Sequence, residues 1–166
     1  KALAETPMVV VCAGAKAILD LPATMEYLET MGVPVIGYKT DEFPAFYSRE
    51  SGLNVSARLD SPEEIAEFAK AHWSLGLRSA ILVTNPVPEA DAISKSEMEP
   101  MIAQASAEAV EKGIHGQALT PFLLGRISEL TKGKSLKTNL ALLLNNARLA
   151  GEIANQMYTR KKEWAI

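Results

Sequence analysis

Val9-Val10-Val11-Cys12-Ala13-Gly14-Ala15-Lys16 decides how this chain folds. An apolar, β-branched run bounded by small residues reads as a strand buried on both faces. Pro22 to Met31 carries a helical pattern that Gly32 ends, and Val33-Pro34-Val35-Ile36-Gly37-Tyr38 is a second apolar run. Strand, helix and strand at this spacing form a βαβ unit, which argues for a parallel pair. The predicted fold is α/β: a mostly parallel sheet flanked by helices on both faces.

The rest of the chain extends that unit. Ser61-Pro62-Glu63-Glu64 combines a serine N-cap, proline at the first helical position and glutamate three residues on. It predicts a helix to about Ser74, stopping near Gly76. Ser79 to Asn85 is a third buried strand, left by Asn85-Pro86-Val87-Pro88. Ser96 to Lys112 reads as a helix with Glu99 as the reciprocal cap and Gly113 as terminator. Thr120-Pro121 opens a short helix to about Thr131, and Ser135 caps a long last helix reaching toward Arg160, so the C-terminal segment is helical. Lys39 to Val55 is a long irregular connection, a kind that often carries function. Its aromatics Phe43, Phe46 and Tyr47 could stack on a base, but packing the loop onto the core is the plainer role. Three parallel strands are few for a sheet that must be covered on both faces and leave an edge open. Residues 1–166 are therefore expected to be part of a larger single domain.

Composition narrows the function. Of 166 residues, 48% are hydrophobic, enough for a core. A net charge of −3 gives no bulk electrostatic reason to bind nucleic acid or an anionic membrane. No apolar run reaches the length of a membrane span, and Lys1 to Pro7 is too short and polar for a signal peptide. The single cysteine, Cys12, excludes an internal disulfide, fits a reducing cytoplasm and reads as a core thiol. His72 and His115 stand apart without flanking ligands, so no metal site is predicted from the residues themselves. Ala13-Gly14-Ala15-Lys16 is not a phosphate-binding P-loop, lacking the second spaced glycine and the hydroxyl residue after lysine.

Lys16 falls at the carboxyl edge of the first strand, where open α/β sheets bind ligands. Burial, and a helix starting just after it, would favour the neutral amine over the ammonium ion. A neutral amine can attack a carbonyl and form a Schiff base. A solvated lysine in a βα loop is the plainer alternative. Asn139 and Asn146 share one face of the last helix, and buried amides must find partners. Asn146 and Asn85 are expected to brace loops. Lys161 and Lys162 read as a solvated helix end.

Several blocks recur in a specific order: Cys12-Ala13-Gly14-Ala15-Lys16-Ala17-Ile18-Leu19-Asp20-Leu21, Phe43-Pro44-Ala45-Phe46-Tyr47, Asn85-Pro86-Val87-Pro88-Glu89, Thr120-Pro121-Phe122-Leu123-Leu124, Ser135-Leu136-Lys137-Thr138-Asn139 and Asn145-Asn146-Ala147. From about Met8 to about Tyr158 this series resembles the C-terminal half of the pseudouridine-5′-phosphate glycosidase family, which includes the indigoidine synthase A-like proteins. The resemblance implies reversible cleavage of the C–C glycosidic bond of pseudouridine 5′-phosphate to uracil and ribose 5-phosphate. It implies ring opening, with C1′ of the sugar held on a lysine as an iminium. Lys16 matches the family's nucleophile and Asn139 its substrate-contacting asparagine. It further implies a manganese ion and a homotrimer. The family's acid, its metal-holding aspartate and its phosphate-binding cations lie in an N-terminal half that has no counterpart here. The chain is thus expected to need that missing half, or a partner chain, to complete the site. A non-catalytic assembly subunit and a pigment-biosynthesis enzyme on the same scaffold are the alternatives.

Overall fold

The computed structural model describes residues 1–16 and 19–158. Ala17-Ile18, the end of the last predicted helix at Arg160 and the Lys161-Lys162 tail lie outside them. Four parallel strands form one sheet: β1 (Val9–Cys12), β2 (Val35–Tyr38), β3 (Ala57–Leu59) and β4 (Ile81–Thr84), in the order β1-β4-β2-β3. The expected three strands are corrected to four. β3 was missed because it is a three-residue edge strand whose Ala57 and Arg58 are exposed, so it has no apolar run to announce it. β4 lies between β1 and β2, and all four of its residues are buried. That is why Ile81-Leu82-Val83 reads as continuous rather than alternating hydrophobicity.

Side chains alternate across the sheet. On one face Val9, Val11, Ile36, Ile81 and Val83 meet Ile65 and Ala69 of α3 (Pro62–Ser74) and Leu149 and Ile153 of α6 (Lys134–Tyr158). On the other, Val10, Cys12, Val35 and Leu82 meet Leu28 of α2 (Leu21–Thr30) and Leu3 of the one-turn helix α1 (Ala2–Glu5). Helices on both faces are what the βαβ reading requires. A second cluster lies beyond the sheet, where α4 (Lys95–Glu111) and α5 (Leu119–Leu130) bury Met98, Ala105, Leu123 and Ile127 with Tyr47 and Ile93.

The helix starts show which local signals win. Ser61 and Glu64 form the predicted capping box, with Pro62 in the first turn. For α4 the cap is Ser94, whose Oγ accepts from Glu97 N, two residues before the expected start. Both serines have a glutamate three residues on. The choice falls to Ser94 because Ile93 is buried and pinned, its N–H on Tyr47 O and its O on Ser48 Oγ. α6 likewise begins at Lys134 rather than after a Ser135 cap. Ser135 is buried in the first turn, and its N–H donates to Thr131 Oγ1 (3.1 Å) at the end of α5. Lys132 and Gly133 take the left-handed turn between the two helices. α5 starts at Leu119 on a 3-10 turn over Gly116–Ala118, so Thr120 and Pro121 sit inside its first turn.

Candidate active site at the strand ends

The carboxyl ends of β1 and β4 are held together by backbone bonds that extend past the strands. Asn85 N donates to Cys12 O (2.7 Å), and Phe46 N from the long loop donates to Ala13 O (3.1 Å). Gly14 bridges to Ala45 in the same loop. Its φ is +79°, and a Cβ at this position would stand 1.7 Å from Pro44 O. Glycine is therefore required both for the backbone conformation and for the close approach of the two chains. Phe46 holds a φ of +64° without being glycine, a conformation that persists only where surrounding contacts enforce it. Its ring meets Tyr47 edge to face at 4.9 Å. Phe43 and Tyr47 are buried, so these aromatics pack the loop onto the core, as the plainer reading has it.

Lys16 emerges two residues beyond Gly14 and is half-buried. Among the described residues the next helix is α2, which begins at Leu21 and is capped by Asp20 Oδ1 accepting from Ala23 N (3.0 Å), and Leu19 N donates to Lys16 O (2.9 Å). A largely apolar cleft of about 460 Å³ opens beside Leu19, Asp20 and Pro22 and is walled by Ala45, Met98 and Ile102. Cys12 faces the α2 side of the sheet, and burial pushes its thiol pKa up against a weaker opposing bond from the Gly14 backbone. It is not a competing nucleophile, since the reactive form is the thiolate.

α6 packs over the strand ends. Leu142 is buried against Ala13 and Val87, which places this helix over the ends of β1 and β4. The loop leaving β4 is then fastened to α6 along its length. Asn85 Nδ2 donates to Asn146 Oδ1 (3.2 Å), Asn145 Nδ2 to Pro86 O (3.2 Å) and Thr138 Oγ1 to Asp91 O (2.7 Å), while Lys137 Nζ pairs with Asp91 Oδ1 (3.0 Å). Arg49 Nη1 donates to Val87 O (2.6 Å) from the long loop. Asn85 and Asn146 thus brace the loop, as expected. Asn139, one turn before Leu142 on the same face, is half-buried, and among the described residues its amide has no hydrogen-bond partner. In sequence Lys16 lies three residues after Ala13 and Asn139 three before Leu142, and Ala13 and Leu142 share one packed cluster.

Sequence reasoning missed Arg49, Asn145 and the Gly14–Pro44 approach. Only the last had a signal, in the run of small residues from Ala13 to Ala15, which marks close backbone packing. The histidines are structural or peripheral. His72 Nε2 bonds Ser79 Oγ (3.0 Å), and His115 precedes the 3-10 turn before α5. Among the described residues no three histidine, cysteine or carboxylate side chains converge to hold a metal. No described helix is long and apolar enough to cross a membrane.

The fold and site define a parallel α/β scaffold that presents a lysine and an unpartnered amide at the carboxyl ends of its strands. The chain belongs to the family described as indigoidine synthase A like protein, whose model matches residues 1–156. It is 56% identical over 161 residues to a protein from Caldanaerobacter subterraneus subsp. tengcongensis named pseudouridine-5′-phosphate glycosidase, covering 97% of this chain and 52% of the relative. It is 60% identical over 152 residues to a protein of the same name from Methylobacterium nodulans, covering 92% and 45%. Two solved structures superpose with it at 41% identity. The prealnumycin C-glycosynthase AlnA in complex with ribulose 5-phosphate gives a TM-score of 0.86 over 93% of this chain and 51% of that one. An indigoidine synthase A-like protein from Thermotoga maritima gives 0.82 over 92% and 50%. The chain spans about half the length of the curated relatives it matches.

Proposed function

We propose that this chain is the nucleophile-bearing half of an enzyme that cleaves the C–C glycosidic bond of pseudouridine 5′-phosphate, giving uracil and ribose 5-phosphate reversibly. The observation that carries the proposal is that Lys16 follows the end of β1 while Asn139, with no hydrogen-bond partner among the described residues, lies one turn before Leu142, which packs with Ala13, in a chain 53–60% identical to four glycosidases named for this substrate.

In this reading the Lys16 amine bonds C1′ as the ring oxygen departs with its electron pair and takes a proton from the nitrogen. The lone pair on the bound nitrogen then expels the base. C5 of the base keeps the electrons of the broken C–C bond and gains a proton to become uracil, leaving C1′ as an iminium on Lys16. Water adds to the iminium, and collapse of the adduct frees the amine and ribose 5-phosphate. Asn139 supplies hydrogen bonds to the bound sugar or base, which its lack of a protein partner leaves it free to make. The acid that protonates the leaving groups and the cations that grip the phosphate are supplied by the half of the family's length outside this chain. Manganese has no ligand cluster among the described residues. Assembly as a trimer in the cytoplasm completes the proposal.

The relative named a C-glycosynthase supports a second reading, in which the same lysine chemistry runs toward bond formation on a pigment-like acceptor. Borohydride reduction tests both. With the missing half present, ribose 5-phosphate and borohydride should leave a reduced sugar adduct on Lys16, mapped by peptide mass spectrometry, and Lys16→Ala should abolish both adduct and uracil release. Reduction onto Lys39 or Lys137 with Lys16 untouched would remove Lys16 from the mechanism. An adduct without uracil turnover would favour the synthase reading.

A further inference from the structure

α6 has two apolar faces, and the sheet covers only one. Leu142, Leu149 and Ile153 point inward. On the opposite side Leu136, Leu140, Leu143 and Leu144 are 54%, 56%, 54% and 71% exposed. Ala147, Gly151, Ala154 and Tyr158 prolong the stripe, all exposed. These positions recur every three or four residues with no charged residue among them, and the row is roughly 33 Å long at the α-helical rise. A helix apolar on both sides is one that lies inside a fold. Single exposed apolar residues such as Val110 on α4 need no explanation, but a continuous row does.

The stripe is continuous with a second unpartnered feature. β1 pairs with β4 on one side, and among the described residues no strand pairs with its other edge. Its residues are only half-buried although the sequence is Val-Val-Val-Cys. Between β1 and α6 runs an apolar groove of about 330 Å³, lined by Met8, Val9 and Val11 on one side and Ala150, Ala154 and Tyr158 on the other. A polypeptide that extended the sheet at β1 would pass along this groove and onto the outer face of α6. Relatives at 56% and 60% identity carry about as much chain again as the part matched here.

We infer that the outer face of α6, from Leu136 to Tyr158, is an internal interface of the complete fold, covered by the half of the family's chain that this sequence does not match. The inference rests on the reading that such a half completes the enzyme, and it specifies where that half docks.

The test co-expresses this chain with the unmatched portion of the Caldanaerobacter relative and purifies by a tag on that portion. A stoichiometric complex is expected. Leu144→Cys, alkylated readily in the isolated chain, should react at least about tenfold more slowly in the complex, with peptide mapping separating it from Cys12. Leu140→Glu/Leu144→Glu should weaken association about a hundredfold, because charge would be buried without a partner. Val110→Glu should not, and circular dichroism of the double variant alone checks that α6 still forms. Three results would overturn the inference. One is a complex that tolerates both glutamates and leaves the introduced thiol as reactive as before. Another is no association with the wild-type chain. The third is protection of that thiol in the isolated chain that rises with its concentration, which assigns the face to a second copy. Association without uracil release would count against the glycosidase reading while leaving the interface in place.

Discussion

In the proposed function Lys16 and Asn139 carry the chemistry, and their surroundings define what each substitution should do. Asn139 makes no hydrogen bond among the described residues, so Asn139→Ala should leave the melting temperature essentially unchanged. It should weaken substrate handling in the completed enzyme by about 1–3 kcal/mol through bonds lost in the complex. Unchanged kinetics with a lowered melting temperature would make it a structural residue. Gly14 is the opposite case. Its +79° φ and the 1.7 Å approach of an added Cβ to Pro44 O leave no room for a side chain. Gly14→Ala should destabilise the chain in urea by several times the cost of Gly52→Ala, which has a φ of +84° and open space around it. The Gly52 change should cost about 1–2 kcal/mol from backbone conformation alone. Equal effects would mean that the Gly14–Pro44 approach does not constrain the loop. At this scale Lys16 stands out in the sequence as a candidate because a strand end, small residues and a family motif converge on it. It concealed Arg49 and Asn145 because their bonds are to backbone carbonyls of Val87 and Pro86, and no pattern in a one-dimensional string marks a carbonyl as needing a partner.

Strands and helices were legible to the extent that they bury a periodic face. β1, β2 and β4 are apolar runs, and α3 carries its own capping box, so all were placed within a few residues. β3 and the starts of α4 and α6 were not. Their positions depend on tertiary contacts: pairing at the edge of β2, the pinned Ile93 and the Thr131–Ser135 bond. One interelement contact is sensitive to pH. Arg126 on α5 donates from Nη2 to Glu108 Oε1 on α4 (2.9 Å) and from Nη1 to Glu129 Oε2 on its own helix (2.8 Å), and its guanidinium forms an ion pair with each carboxylate. The Arg126 hydrogen bonds, then that from Gln104, hold the Glu108 carboxyl below the ordinary glutamate value of 4.5. A depressed carboxylate contributes stability above its unfolded value and loses it as pH falls through the folded one. Glu108→Gln should therefore be less stable than the wild type at pH 7, with the gap closing as pH drops below about 4.3. A gap that stays constant from pH 7 to pH 3 would show that the pair contributes no charge-dependent stability.

For the whole molecule, four parallel strands with no strand on the outer edge of β1 among the described residues, together with a two-faced α6, fit a chain that spans about half the length of its relatives. On the proposed function, which places the acid and the phosphate-gripping cations in the unmatched half, the lone chain should release no uracil from pseudouridine 5′-phosphate, with or without manganese. Turnover by a purified, monodisperse single polypeptide would overturn this and require those groups to be found among residues 1–166. The loop after β4 is tied to α6 by bonds spanning 59 and 61 positions at Pro86–Asn145 and Asn85–Asn146. Those ties also impose an order of events. The loop after β4 precedes α6 in the chain, and contacts of long sequence separation form slowly. The loop therefore stays unfastened on that side until α6 has been made and has packed over the ends of β1 and β4. A chain cut before α6 would keep the four strands but lose the bonds from Asn145 and Asn146 that fix this loop.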